Sequence, residues 1–332
     1  MTVMALLVAI GKTIYRSRVL AFCPVSLGPR IGTTTHVKFF SSIQEGEQTT
    51  RQSGEEDAKI PTPWNDPRVQ DRVKTRRKNN NNRFRQHVNP LARPYQQPTK
   101  LSSDWPHGVF DCLRNRDLHV DIGCGKGGFL LEYAGSKYAA QESYNYLGLE
   151  IRPMVAQYAK ERVTVHGLEG KVDFLGCNAN VDLDRLLTRY HAAASTMERP
   201  LLLTRVSIQY PDPHFKKHHA KRRVVTPDLI DTVAKFMPPS SGVVFLQSDV
   251  QPVLDDMRDR FAQADKYFSL DAVLHRDHEH LPHNPLNVPT EREVSVLEKD
   301  LPVYRVLFQR TATPYEPKEE EDHYTSSSQN DL

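Results

Sequence analysis

Apolar and polar residues alternate in blocks from residue 113 onward, in the order expected of strands and helices that follow one another. Short apolar runs predict buried strands, and a segment with helical periodicity follows most of them. Because helices between parallel strands cover both faces of a sheet, we predict an α/β fold with a mainly parallel sheet. The predicted strands are residues 118–122, 144–149, 172–175, 201–208 and 243–247, with a closing strand at 303–308.

The predicted helices cover residues 128–138, 153–165, 181–190, 227–236 and 252–264. Three of these helices have a proline that fits the first turn. The first hundred of the 332 residues contain little that could form a core. We therefore predict a single domain at 113–311. A disordered linker and basic arm at 45–82 precede it, and an acidic disordered tail at 312–332 follows it.

Residues 1–44 contain no acid, five basic residues and nine Ser or Thr. This composition is typical of an organellar transit peptide and predicts a location in a plastid or a mitochondrion. A secretory signal fits less well, because no charge precedes the apolar run at residues 3–10. That run is also too short to cross a bilayer, so no membrane span is predicted. A disordered N-terminal tail is the alternative interpretation.

The net charge of +3 conceals an uneven distribution, since the first 44 residues contribute +5 and the rest carries about −2. Residues 72–100 contain nine Lys or Arg and no acid. This stretch is either a solvated arm or an arm that follows a phosphate backbone. The cysteines include no C-x-x-C pair, so no zinc site is predicted. Four histidines cluster between residues 275 and 283, but nearby charges and a proline favour an exposed loop without a metal.

The first predicted strand ends in Asp121 and continues into glycines at positions 123, 125, 127 and 128. Glycine allows a tight turn and the close approach of a ligand to the backbone. The second strand ends in Glu150, where a carboxylate can accept both hydroxyls of an adenosine ribose. A dinucleotide site has similar glycines. The Asp-x-Gly-x-Gly-x-Gly form, however, resembles the first motif of S-adenosylmethionine methyltransferases, which implies that Asp121 faces the methionine part of that cofactor.

The segment after the fourth strand reads SIQYPDPHFKKHHAKRRVV. Because ligands bind at the carboxyl ends of parallel strands, we expect Asp212 beside the reactive part of a ligand, in a loop that two prolines stiffen. Five basic residues and three histidines come directly afterwards. A basic run is often a solvated face, but beside such an acid it favours a rim that binds phosphate.

Five motifs together resemble the tRNA (guanine-N7)-methyltransferase family in its bacterial and plastid-like branch: RQHVNPLA, NYLGLEIR, YPDPHFKKHHAKRRVV, QSDV and NVPTERE. The resemblance covers residues 83–310. It implies a Rossmann-like class I methyltransferase fold with a seven-stranded sheet, S-adenosyl-L-methionine as the cofactor, and methyl transfer to a guanine of tRNA, most often in the variable loop. It also implies that residues 83–112 form an N-terminal extension on or near the RNA site.

The resemblance assigns Asp212 as the active-site acid. The cofactor-binding residues that it implies are Asp121, Gly123, Gly125, Glu150, Ile151, Asn178, Ala179 and Gln209. Asn178 replaces an aspartate of some bacterial members, and Gln209 is more polar than the residue usual there. The expected contacts to RNA or its guanine are Lys216, Asp249, Thr290, Glu291, Arg292 and Glu293. The basic run adds Lys217, Lys221, Arg222 and Arg223 as contacts to the RNA backbone.

The chemistry of guanine N7 is consistent with this residue set. N7 has an in-plane lone pair and no proton, so the reaction needs neither a general base nor a covalent thiol. It needs in-line alignment and stabilisation of the cationic purine, and Asp212 can provide both. No metal is needed, and the sequence neither requires nor excludes a partner subunit.

Two other functions stay open at this point. The first is a methyltransferase for another RNA, for an exocyclic amine or for a protein side chain. Enzymes that methylate amines of nucleic acids have an Asp/Asn-Pro-Pro-Tyr/Phe loop, where this chain has Pro211-Asp212-Pro213-His214. The second is an RNA-binding subunit that has lost the reaction, against which the three acids at positions 121, 150 and 212 argue.

Overall fold

The computed structural model describes residues 88–136, 139, 143–215 and 217–317. The predicted transit peptide, the predicted linker and basic arm, and most of the predicted acidic tail lie outside these residues. In the described part of the chain, no helix has the length and the apolar character needed to cross a bilayer.

The described strands form one seven-stranded sheet in the order β3-β2-β1-β4-β5-β7-β6. Strands β1 to β5 are parallel, while β7 runs antiparallel to both β5 and β6. The prediction of a mainly parallel α/β sheet is confirmed. The strands are β1 (Asp117–Ile122), β2 (Tyr144–Glu150), β3 (Val172–Gly176), β4 (Leu203–Gln209), β5 (Val243–Ser248), β6 (Phe268–Leu270) and β7 (Tyr304–Arg310).

Six α-helices occur in the described part of the chain: α1 (Gly128–Gly135), α2 (Pro153–Val165), α3 (Ala179–Ala194), α4 (Pro227–Phe236), α5 (Gln251–Ala262) and α6 (Glu291–Leu297). Two 3-10 segments accompany them, Arg93–Tyr95 and Lys217–Arg222. Prolines open α2 and α4 as predicted. Neither α6 nor β6 was predicted from the sequence.

The core lies in two layers, one on each face of the sheet. Leu118, Val120 and Ile122 of β1 pack in the layer that contains the apolar faces of α3, α4 and α5. The other layer contains the apolar side chains of α1 and α2. Strand β1 is therefore covered on both sides, and a ligand can reach it only at its ends.

The chain order makes the carboxyl ends of β1 and β4 a crevice. From β1 the chain continues outward to β2 and β3, and it then returns to β4 on the other side of β1. In open α/β sheets, ligands bind at such a reversal of strand order. The residues that end β1, β2 and β4 are therefore the ones that a ligand of this fold meets first.

The N-terminal segment packs against α3, next to this edge. The Thr99 amide donates to the Asp182 carboxylate at 3.1 Å, and the Arg189 guanidinium donates to the Trp105 carbonyl at 2.7 Å. The Trp105 indole is buried and donates to Asp173 at 3.3 Å. These contacts hold residues 99–105 of the segment along α3, from Asp182 in its first turn to Arg189 near its end, and against β3.

Candidate active site

The turn between β1 and α1 needs glycine at three positions. Gly123, Gly125 and Gly127 have φ angles of 83°, 56° and 75°, in the left-handed region that glycine tolerates best. A Cβ on Gly123 or Gly125 would meet no heavy atom within 4 Å, whereas one on Gly127 would lie 2.5 Å from the Phe174 ring. The backbone of the first two glycines is therefore open to a ligand, while Gly127 allows the turn to pack on β3.

Asp121 is a buried carboxylate near the end of β1, only 4% exposed. Ser207 faces it across the β1–β4 pair and donates its hydroxyl to Asp121 Oδ1 at 2.6 Å. Burial raises the pKa of Asp121 to about 6, and the hydrogen bond from Ser207 opposes this rise. None of the ion pairs among the described residues includes Asp121. A buried carboxylate of this kind fits a cationic group of a ligand.

His119 lies beneath Ser207 and continues this hydrogen-bonded chain into the core. Its Nε2 atom is 3.0 Å from the Ser207 hydroxyl oxygen. Burial, and then the charge of Arg205, lower the pKa of His119 well below its usual value. The imidazole is therefore neutral, and it supports the hydroxyl that positions Asp121 without adding a positive charge.

Glu150 ends β2 and is 3% exposed. The amide of Gly125 donates to Glu150 Oε2 at 3.1 Å, which links the glycine turn to β2. Arg152 donates its backbone amide to Oε1 at 3.0 Å and its Nε to the same oxygen at 2.7 Å. Its terminal nitrogen donates to Oε2 at 3.1 Å. This ion pair is the main feature of the site that sequence reasoning missed.

Asp212 lies in a loop with a strained backbone. Tyr210 and His214, on either side of it, have φ angles of 50° and 43°. Non-glycine residues in this region cost about 1–3 kcal/mol each and concentrate at functional sites. The Tyr210 amide donates to the Gln247 carbonyl at 2.8 Å, which fixes the start of the loop to β5. The Asp212 carboxylate is partly exposed and lies 3.8 Å from His214 Nε2.

The guanidinium of Arg152 lies against Glu150 at this edge of the sheet. Its pKa is raised, first by the hydrogen bonds to Glu150, and the charge of Asp212 contributes further. The strand order places Asp121, Glu150 and the loop of Asp212 at the carboxyl ends of the neighbouring strands β1, β2 and β4.

Asn178, predicted as a cofactor contact, makes internal contacts in this structure. Its Oδ1 atom accepts the Asn180 amide at 3.1 Å and caps α3. Its amide nitrogen donates to the carbonyls of Pro90 and Tyr95 at 3.3 and 3.1 Å. Asn178 thus holds the N-terminal segment against the end of β3. Ala179, the next residue, is buried at the start of α3.

Ile151 and Gln209 complete the predicted cofactor set. Ile151 is half-buried between Glu150 and α2. Gln209 ends β4 and is buried. Its side-chain oxygen Oε1 accepts a hydrogen bond from the Gln247 side-chain amide at 3.3 Å. The polar character of Gln209 is thus matched by a polar neighbour in β5.

The segment from residue 290 to residue 293 begins α6. Thr290 accepts the Glu293 amide at 3.0 Å as its cap. Glu293 is 2% exposed and bonds to Arg305 at 2.8 Å, to Gln247 at 3.0 Å and to Asn284 at 2.9 Å. The side chains of these two predicted substrate contacts are therefore engaged inside the protein.

Three other predicted substrate contacts lie on α6 or beside it, of which Arg292 is exposed while Glu291 and Asp249 are half-buried. Arg292 and Asp249 form an ion pair between α6 and the end of β5. Glu291 lies 3.8 Å from Lys126, which belongs to the glycine turn. These residues place α6 at the rim of the crevice, next to the glycine turn.

The basic run forms the 3-10 segment Lys217–Arg222. Lys216 lies outside the described residues, as does the side chain of Lys217. Lys221 is exposed, while Arg222 and Arg223 are half-buried. Arg223 forms an ion pair with Asp256 of α5 at 2.7 Å. Of the described cations in this run, Lys221 is thus the most accessible to an anionic partner.

The histidine cluster has a structural role at one position. His275 donates from Nδ1 to the His278 carbonyl at 3.1 Å and accepts the Leu307 amide on Nε2 at 3.1 Å. Burial lowers its pKa, which favours the neutral form that makes both bonds. Within the described ranges, no group of three or more His, Cys, Asp or Glu side chains could hold a metal ion.

Comparison with known proteins identifies the family. The model of a family described as "Putative methyltransferase" matches residues 115–306. A tRNA (guanine-N(7)-)-methyltransferase of Synechocystis sp. is 43% identical over 229 residues, which cover 69% of this chain and 98% of that protein. The enzyme of that name from Synechococcus elongatus is 45% identical over 232 residues, which cover 69% of this chain and 96% of that protein. The one from Nostoc sp. is 40% identical over 230 residues, which cover 69% of this chain and 95% of that protein. The chain belongs to the tRNA (guanine-N7)-methyltransferase family.

The family resemblance placed the acids of the site but not the groups that hold them. Ser207 and His119 had no motif that singled them out, because their role depends on which strand lies next to β1. Arg152 was visible in NYLGLEIR as the basic residue two positions after the acid. Only the folded structure shows that the Arg152 side chain contacts the Glu150 carboxylate.

Proposed function

We propose that this protein transfers a methyl group from S-adenosyl-L-methionine to N7 of a guanine in tRNA. The observation that carries the proposal is that three acids, Asp121, Glu150 and the loop residue Asp212, follow the carboxyl ends of neighbouring strands beside a glycine turn whose backbone is open to a ligand. Family membership and the relatives' names support tRNA as the substrate. As in the sequence resemblance, the variable loop is the proposed location of the guanine.

The residues of the crevice fit the cofactor. Asp121, buried and without an ion-pair partner among the described residues, would bind the cationic ammonium of the methionine part. Glu150 would accept the ribose hydroxyls, and the backbone at Gly123 and Gly125 would allow close approach. Ile151, Ala179 and Gln209 would line the same space, with Asn178 holding its rim. When bound, this cofactor supplies an electrophilic methyl group on a sulfonium.

Asp212 would position the acceptor. Its carboxylate can accept hydrogen bonds from N1 and the exocyclic amine of guanine, which leaves N7 and its lone pair directed toward the methyl group. Its negative charge would also stabilise the cationic ring that forms. The two left-handed residues that flank Asp212 restrict its position, so little reorganisation is needed during the reaction.

The rim of the crevice would bind the tRNA backbone. We propose Lys217, Lys221, Arg222 and Arg223 as the backbone contacts, while Lys216, Asp249, Glu291 and Arg292 would contact other groups of the RNA or its target guanine. Thr290 and Glu293 would act indirectly, by holding α6 in place. Single charge contacts of this kind position an RNA and make its affinity dependent on salt.

The cyanobacterial relatives support a plastid as the location, with a mitochondrion as the alternative. We propose that residues 1–44 direct the protein to this organelle. A fusion of residues 1–53 to a fluorescent protein tests this proposal. Import and shortening of the fusion are expected, and a diffuse, full-length cytosolic fusion would contradict the proposal.

The function is tested with the full chain, S-adenosylmethionine and unmodified tRNA. We expect digestion of the product to release N7-methylguanosine, identified by mass spectrometry against authentic nucleosides. N1- or N2-methylguanosine as the product would favour a methyltransferase that acts on a different nitrogen of guanine. Binding of tRNA and S-adenosylhomocysteine without any methylation would favour the non-catalytic RNA-binding alternative.

A further inference from the structure

The hydrogen bonds to Glu150 use all the acceptor positions of its carboxylate. An ionised carboxylate offers about four lone-pair positions. Two backbone amides, of Gly125 and Arg152, occupy one position on each oxygen. The Arg152 side chain occupies the other two, at 2.7 and 3.1 Å. In this structure, Glu150 therefore has no acceptor position left for a ribose hydroxyl.

Two ribose hydroxyls can bind Glu150 only if two of the four donors leave. The backbone amides cannot leave without rebuilding the turn, since Gly125 has a left-handed φ of 56° and Arg152 is the N-cap residue of α2. The Arg152 side chain is attached by rotatable bonds and is 27% exposed, against 4% for the Glu150 side chain. The guanidinium is thus the donor that the ribose displaces.

The displaced guanidinium stays positively charged and lies at the entrance of the site. Arg152 directly follows β2 and the Asp212 loop follows β4, and these two strands flank β1 at the same edge of the sheet, which is where we place the acceptor guanine. Once the guanidinium leaves Glu150, it needs a new anionic partner or full hydration. Arginine binds phosphate oxygens with two parallel hydrogen bonds, as it binds a carboxylate.

We propose that Arg152 is a tRNA-binding residue that becomes available only when the cofactor ribose occupies Glu150, so that cofactor and tRNA bind cooperatively. This inference rests on the proposed function. It adds that Arg152 changes its ion-pair partner from Glu150 to an RNA phosphate. Because coupling between two ligands is reciprocal, each would raise the affinity of the other by the same factor.

The first experiment measures S-adenosylhomocysteine binding to the full chain by titration calorimetry. This ligand has the adenosine ribose but no methyl group to transfer. In Arg152→Ala, the ribose no longer displaces a guanidinium, so we expect affinity about three- to tenfold tighter than in the wild type. Equal or weaker affinity would overturn the proposal, because Arg152 would then support Glu150 instead of competing for it.

Arg199→Ala is the matched control. Arg199 also pairs with a carboxylate, that of Asp117 at the amino end of β1, and its side chain is 28% exposed. We expect wild-type affinity for S-adenosylhomocysteine in this variant. If Arg152→Ala does not fold, Arg152→Gln, which keeps part of the apolar stem, is measured in the same way.

The second experiment measures tRNA affinity with and without saturating S-adenosylhomocysteine. In the wild type and in Arg199→Ala, we expect saturating S-adenosylhomocysteine to tighten tRNA binding by about fivefold or more. In Arg152→Ala, the factor should fall to about one, and tRNA should bind as weakly as it does to the ligand-free wild type. A wild-type factor near one, or an unchanged factor in Arg152→Ala, would overturn the proposal.

These outcomes are distinct from a failure of the proposed function. A wild-type chain that makes no N7-methylguanosine contradicts the function, whatever Arg152 does. A chain that makes the nucleoside but shows no coupling contradicts only the role of Arg152. The calorimetric comparison does not depend on the identity of the RNA.

Discussion

At the scale of single residues, the site contains a carboxylate that destabilises the ligand-free protein. Burial raises the pKa of Asp121 to about 6, against about 3.9 in an unfolded chain. Between these values, the folded state binds more protons than the unfolded state. Ionised Asp121 therefore lowers stability at neutral pH, and this cost is relieved as the pH falls through about 6. A bound cation would relieve it as well.

We predict that Asp121→Asn raises the free energy of unfolding of the ligand-free protein by about 1–3 kcal/mol at pH 7.5. The gain should shrink at pH 5, where the wild-type carboxyl is largely protonated. Urea titrations at both pH values measure the effect. Asp117→Asn, at the other end of β1 and paired with Arg199, is the control and should give no gain. A loss of stability in Asp121→Asn at both pH values would contradict the conclusion that ionised Asp121 destabilises the ligand-free protein.

The acids of the site could be predicted from the sequence, whereas the side chains that contact them could not. The motifs placed the acids at positions 121, 150 and 212, because glycines, strand ends and prolines are local signals. They could not show that Ser207 faces Asp121 or that Arg152 occupies Glu150. Those contacts depend on strand order and on side-chain direction, which the sequence of a single strand does not encode.

At the scale of elements, the apolar periodicity located most strands and helices correctly. Strand β6 was missed because it has only three residues and two of them are exposed. Helix α6 was missed although Thr290 and Glu293 have the spacing of a capping box. The structure contains half of that box: Thr290 accepts the Glu293 amide, while the Glu293 carboxylate bonds to Arg305 in β7.

The buried position of Glu293 gives a prediction that separates a structural role from a substrate contact. Glu293→Ala leaves Arg305, which is 5% exposed, without its carboxylate partner. Removing one partner of a buried pair typically costs about 3–5 kcal/mol, so we expect a loss of that size in urea titrations. Arg292→Ala, the neighbouring exposed residue, should change stability by less than about 1 kcal/mol. Unchanged stability in Glu293→Ala, together with weaker tRNA binding, would restore Glu293 as a direct contact.

The basic 3-10 segment gives a second prediction at this scale. Replacing Lys217, Lys221, Arg222 and Arg223 together by Ala should weaken tRNA binding. It should also reduce the slope of log affinity against log salt by about 0.7–0.9 for each phosphate that the variant no longer neutralises. Titrations of tRNA at several salt concentrations measure this slope, and the affinity for S-adenosylhomocysteine serves as the control. A wild-type slope would mean that the run is a solvated face.

At the scale of the whole molecule, the alternation of strands and helices was enough to predict a mainly parallel sheet. It could not provide the strand order, which places β7 between β5 and β6. That order brings Arg305 of β7 next to Gln247 of β5, at 2.7 Å, and so supports the strand to which the Asp212 loop is fixed. The N-terminal segment, polar and rich in proline, gave no local sign that it packs on α3.

If the Asp212 loop directs methylation to N7 of guanine, the product can be detected by cleavage of the RNA chain. N7 methylation gives the ring a fixed positive charge, so borohydride reduction followed by aniline cleaves the chain at that nucleotide. Asp212→Asn keeps the size of the side chain but removes its charge. Removing one such electrostatic interaction lowers turnover by about a hundred- to a thousandfold.

We expect wild-type enzyme to produce aniline-sensitive cleavage at one guanine of unmodified tRNA. Asp212→Asn should produce it at least about a hundredfold more slowly while binding S-adenosylhomocysteine with nearly unchanged affinity. Cleavage at the wild-type rate in Asp212→Asn would contradict the role of this residue, and no cleavage after treatment with wild-type enzyme would contradict the function itself.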